Sequence, residues 1–137
     1  MTSEDRIAYD FAVLRAVPHV HLGAFVPVGV LVHARTTGYL GMRVLSDSDE
    51  LAARVPGVDH ELLARYLRSH CAVAAGDAAA GPVGLAPSSE RFHWLTAPRS
   101  DVLQSSAVHA GLAIDPARAL EVLFAEYVLG RVCEPEL

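Results

Sequence analysis

Phe25-Val26-Pro27-Val28-Gly29-Val30-Leu31-Val32 is an apolar run in which four of eight residues are valine. Branched side chains fit a pleated, half-buried surface, so the run reads as a β-strand. Pro27 lies inside it and cannot donate to a strand ladder, which points to an edge position or a bulge. Upstream, Ile7 to Val17 alternates: Tyr9, Phe11, Val13 and Val17 share one face with Arg15, and Ala12, Leu14 and Ala16 share the other. Pro18 ends that strand. Downstream, His33-Ala34-Arg35-Thr36-Thr37-Gly38 is a short polar link, and Tyr39 to Leu45 supplies a third strand. Short links between consecutive strands favour an antiparallel meander.

The pattern changes at Ser46. Asp47 with Glu50 three residues later resembles a capping box and predicts a short helix to about Arg54, closed by Pro56-Gly57. Asp59 predicts the cap of a second helix. Leu62, Leu63, Tyr66, Leu67, His70, Cys71 and Ala74 form its apolar stripe at 3.6-residue spacing. Ala78-Ala79-Ala80-Gly81-Pro82 ends that region, and Val83 to Ser89 reads as loop. Arg91 to Ala97 reads as a fourth strand, with Phe92, Trp94 and Thr96 on one face and Arg91, His93 and Leu95 on the other. Arg99 to Leu112 lacks helical periodicity. Asp115-Pro116 is a helix start, followed by the stripe Leu120, Leu123, Phe124, Tyr127 and Val128. The chain is expected to be one α+β domain over residues 1–137. A mostly antiparallel sheet, in the order β-β-β-α-α-β-α, would carry its helices on one face.

Composition narrows the function classes. The 137 residues are 52% hydrophobic and 20% charged, which excludes intrinsic disorder. Net charge is −5 and the arginines are scattered singly, so no nucleic-acid footprint is expected. All 11 basic residues are Arg, with no Lys and 22 Ala; that bias reads as a coding background and weakens Arg as a functional signal. No apolar run approaches the ~18 residues of a membrane helix, and the acidic start Met1-Thr2-Ser3-Glu4-Asp5 is unlike an export signal. Cys71 and Cys133 do not form a disulfide framework, so the reducing cytoplasm is the expected compartment.

Familiar catalytic and cofactor motifs are missing. Gly23 to Gly29 fits neither a dinucleotide nor a phosphate loop, so no cofactor is expected. His19 and His21 form an H-x-H pair without an acidic neighbour. A metal there would need distant ligands such as His33 or His109, and ordinary surface histidines are the expectation. Ser100, Ser105, Ser106, Asp101 and His109 cluster in sequence, but no nucleophile-elbow pattern accompanies them. The segment from Ser88 to Gly111 does concentrate donors: Arg91, His93, Trp94, Thr96, Arg99, Ser100, Gln104, Ser105, Ser106 and His109. Arginine forks and hydroxyls suit a carboxylate or phosphate, and Trp94 could floor a pocket or fill the core.

Three blocks resemble a bacterial domain-of-unknown-function family, numbered three-zero-three-seven. They are Tyr9-Asp10-Phe11-Ala12-Val13-Leu14-Arg15-Ala16-Val17-Pro18, Gly23-Ala24-Phe25-Val26-Pro27-Val28-Gly29-Val30-Leu31, and Phe92-His93-Trp94-Leu95-Thr96-Ala97-Pro98-Arg99-Ser100 with Gln104-Ser105-Ser106-Ala107-Val108-His109. The second block departs from the family's Gly-Glu-Phe-x-Asn-x-Gly pattern, with Ala24 in place of Glu and Pro27 in place of Asn. The resemblance brings no established activity. It implies an accessory role beside HipA-like kinase-fold proteins, with the site carried by the third block.

Together these readings give a small cytoplasmic, non-catalytic binding or accessory protein. It would recognise an anionic group through Arg91, His93, Trp94, Thr96, Arg99, Ser100, Gln104, Ser106 and His109. Two alternatives stand beside it: an enzyme using His93 or His109 as general acid or base, and a structural homodimer joined through an exposed strand edge.

Overall fold

The apolar run forms β2 (Val26–Ala34), which lies between β1 (Ile7–Ala16) and β3 (Tyr39–Val44), antiparallel to both. The structure, a computed structural model, describes residues 5–18, 24–99 and 101–130. Every residue from Val28 to Ala34 is buried. A strand covered on both faces has no polar side to present, which is why this run is continuous rather than alternating. Pro27 does not mark an edge. The register with β1 steps from Leu14 opposite Gly29 to Arg15 opposite Pro27, so Val28 is the extra residue of a bulge. A bulge releases the proline from the ladder within a central strand.

The other side of β1 departs from expectation. Arg91–Ala97 is not a strand; it belongs to α3 (Ser88–Thr96). Phe92 and Leu95 are its buried residues, three apart, which puts them on one face of a helix but on opposite faces of a strand. The strands pairing with β1 come later, inside the segment that lacks periodicity. β4 (Leu103–Ser105) lies opposite Leu14–Ala16, and β5 (His109–Ala113) lies opposite Ile7–Phe11. Leu14 faces Ser105 but Phe11 faces His109, so residues 106–108 carry one extra residue. Ser106 spans the irregularity. Its amide donates to the Val13 carbonyl at 2.8 Å, and its hydroxyl accepts from the Val13 amide at 2.9 Å. The observed order is therefore β-β-β-α-α-α-β-β-α, counting α1 (Ser48–Arg54), α2 (His60–Ala75) and α4 (Pro116–Tyr127).

Three helix starts form where the sequence places them. Asp47, Asp59 and Asp115 accept from the amides of Asp49, Leu62 and Ala117. The helices cover both faces of the sheet, not one. Phe11, paired with Val32, meets the Tyr127 ring of α4 at 5.8 Å, and Arg43 of β3 lies over Phe124 of α4 at 4.7 Å. His33, the next residue along β2, points the other way and stacks on Phe92 of α3 at 5.1 Å. The apolar run Val26–Val32 of β2 demands this arrangement: one layer of helices would leave half its side chains in water. Leu14, Leu31, Leu51, Leu63, Leu67 and Leu95 are fully buried between the layers. Among the described residues no helix is long and apolar enough to cross a membrane.

Candidate functional site

Two helices and two short turns build a corner where predicted site residues meet a cleft. The last carbonyls of α2 have no partner within the helix. Gly76 follows at φ +73°, where a side chain would be strained, and its amide turns back to Val73. Arg91 completes the closure from α3. Its Nη1 donates to the carbonyls of Ala74 at 2.6 Å and Val73 at 3.2 Å, and its Nε donates to Ala86 at 2.9 Å. Between these anchors run two 3₁₀ turns, Ala78–Ala80 and Pro82–Leu85. They approach so closely that a Cβ on Gly84 would stand 2.2 Å from the Asp77 carbonyl oxygen, so glycine is required there.

The space beside these turns is a cleft of about 320 Å³. Ala72, Val73, Ala79, Ala80 and Val83 make it apolar, with Ser69 and Trp94 at its sides. Trp94 is 40% exposed. The Arg99 guanidinium lies 4.5 Å over its ring and donates to the Trp94 carbonyl at 2.9 Å. His70 approaches the same indole, 5.8 Å between rings, and its Nδ1 is 2.9 Å from the Tyr66 carbonyl. Burial holds His70 below the ordinary histidine value, and the Arg99 charge adds to that. Arg65 lies one turn before Ser69 on the same face of α2 and is exposed. The cleft thus combines small apolar walls, one indole and cationic margins.

The predicted residues do not share a single hollow. Arg91, Trp94, Thr96 and Arg99 belong to the α2–α3 corner, and His93 is exposed on α3. The Thr96 hydroxyl donates back to the Phe92 carbonyl at 2.9 Å. Gln104 donates to the Asp101 carbonyl at 3.0 Å, and Ser105 and Ser106 hydroxyls donate to the Ser106 and Ala107 carbonyls. His109 stands on the other side of the sheet, its ring 5.4 Å from Phe11. Ser100 and the His19–His21 pair lie outside the described residues. Among the described residues no group of three or more His, Cys, Asp or Glu side chains could hold a metal ion.

Two features escaped the sequence reading. The small side chains of Ala72, Ala79 and Ala80 open the cleft, and a cluster of small residues before Gly-Pro is the signal that was available. His33, considered from the sequence only as a distant metal ligand, is the only buried polar or charged side chain among the described residues. Its Nε2 is 3.2 Å from the Ser88 hydroxyl at the start of α3. Burial lowers its pKa, Asp10 across the strand pair opposes this, and Arg35 and Arg91 reinforce it.

Residues 11–128 match the family model described as a protein of unknown function (DUF3037). The chain belongs to that family. The DUF3037 match runs from within β1 to the end of α4 and so contains the cleft, the Arg91 closure and the Ser106 junction. No curated protein and no solved structure matches the chain. Membership in DUF3037 therefore brings no activity with it.

Proposed function

We propose that this protein is a non-catalytic binding module of the accessory kind, taking an apolar body that carries an anionic end into the cleft between α2 and α3. One observation carries the reading: Arg99 stacked on the exposed Trp94 ring at the margin of an apolar cleft of about 320 Å³. That volume is at the small end of ordinary ligand pockets, ~300–1,000 Å³. Ala72, Val73, Ala79, Ala80 and Val83 would hold the apolar body, and Trp94 would form a flat wall. Arg99 offers donors to a carboxylate or phosphate while its stacking limits the rotamer freedom lost on binding. No observation favours the acid–base alternative: His93 and His109 stand apart, and neither lines the cleft.

Trp94 is the only tryptophan in the chain, so fluorescence excited selectively at tryptophan, beyond tyrosine absorption, reports on this cleft. Octanoate, octyl phosphate and octanol provide the comparison. The anionic probes are expected to change the emission saturably and to bind roughly tenfold better than octanol, about 1.4 kcal/mol. Arg99→Ala should remove that preference. An acidic peptide ending in leucine tests whether the same chemistry is presented by a partner chain. No saturable change with any probe would refute the proposal.

A further inference from the structure

We propose that β5 is the contact through which two copies of this chain associate, pairing antiparallel about a two-fold axis near Gly111. The sheet has two edges, β3 on one side and the short β4 followed by β5 on the other, and they are built differently. β3 carries Arg43, which pairs with Glu121 of α4 and lies over Phe124, so a helix guards that edge with charge and bulk. β5 reads His109-Ala110-Gly111-Leu112-Ala113 and is bonded to β1 on one side. Among the described residues no strand pairs with its outer side. The strand has no Asp, Glu, Arg or Pro, the usual guards against edge pairing.

Three of the seven exposed large hydrophobic side chains among the described residues gather at the same place. Val108 is 46% exposed, Leu112 62% and Ile114 36%. Ala110 and Leu112 lie opposite Asp10 and Ala8 of β1, on the face away from α4, and Ala8 is exposed beside them. No described helix covers that part of the face enough to bury Leu112.

The chemistry of β5 selects a second β5 as its partner. An antiparallel pair centred on Gly111 places Ala110 of one copy across from Leu112 of the other, and His109 across from Ala113. Each large side chain meets a small one. No like charges meet within the pairing, and the free amides and carbonyls of both edges are satisfied together. A two-fold contact of this kind closes on itself and gives a dimer rather than a fibre, since each copy offers one such edge.

Sedimentation velocity on the full chain over a concentration series tests the inference. The wild type is expected to sediment as a reversible dimer of about twice 14.6 kDa. Leu112→Arg places a charge at an exposed position and brings two such charges near the axis; it should give monomer where the wild type is dimeric, with an unchanged circular dichroism spectrum. Val108→Arg serves the same purpose should Leu112→Arg fail to fold. Leu85→Arg, at an exposed apolar site on the cleft side, should remain dimeric. A wild type that is monomeric throughout, or a dimer unaffected by Leu112→Arg and Val108→Arg, overturns the proposal. The outcome is independent of the cleft, whose lining includes no residue of β5 and which is read by fluorescence.

Discussion

The guanidinium of Arg91 donates to the carbonyl of Ala74, 17 residues earlier, at 2.6 Å. It therefore serves as a side-chain cap for the C-terminus of α2, held in place by further bonds to Val73 and Ala86. Charge-assisted bonds of this kind contribute about 1.5–3 kcal/mol each, and their effects overlap when they share one side chain. Arg91→Ala is expected to lower unfolding stability by roughly 2–4 kcal/mol. Arg91→Lys should recover only part, because an ammonium cannot reproduce the fork that reaches both anchors. Urea denaturation of the three proteins checks both statements.

Acid should weaken the fold through two imidazoles. Burial lowers His33 and His70 from the ordinary value of 6.5. The unfolded chain then binds protons that the folded chain excludes as pH falls through 6.5, so stability rises with pH across that window. The contribution is complete above the unfolded value and is lost progressively below it, down to the folded values. Urea midpoints between about pH 7.5 and about pH 5.5 should fall as the medium becomes more acidic. His33→Gln and His70→Gln should each flatten that dependence; a slope unchanged in both would contradict the assignment.

At the β4–β5 junction one hydroxyl stands in for a backbone carbonyl. Ser106→Ala leaves the Val13 amide without its acceptor, and the expected loss is about 1–3 kcal/mol. Hydrogen exchange should localise the effect, with Val13 opening faster while amides of the β2–β3 pair are unchanged.

A contrasting result is expected at Arg43 and Glu121. Both side chains are 48% exposed, so water competes for each charge. Glu121→Gln should change stability by less than about 1 kcal/mol. Arg43→Ala should cost more than Glu121→Gln because it also uncovers the Phe124 ring. A double-mutant cycle separates the two contributions.

The sequence disclosed the parts whose causes are local. Three aspartate caps, the 3.6-residue stripe of α2 and the polar link between β2 and β3 each depend on neighbours a few residues away. α3 was misread because Arg91 to Ala97 satisfies both periodicities and its true partners, His33 and the end of α2, are distant. β4 and β5 were missed because three and five residues carry too little pattern, and their strand character comes from the edge of β1. The placement of helices on both faces was implicit in β2, whose unbroken apolar run already required it. At the cleft, Trp94 and Arg99 were within reach of sequence reasoning. The duty of Arg91 was not, since nothing in its own segment reveals which carbonyls it will meet.

The extra residue between β4 and β5 has a consequence for how this protein can vary. Side chains on a strand switch sides with each step, so removing one residue from 106–108 would rotate all of β5: Leu112 would turn toward α4, and Gly111 would lose its place under the Tyr9 ring. Removing or adding two would keep the sides unchanged. Natural and engineered length changes in this short connector are therefore expected to come in even numbers, a parity rule imposed by a single serine-bridged irregularity.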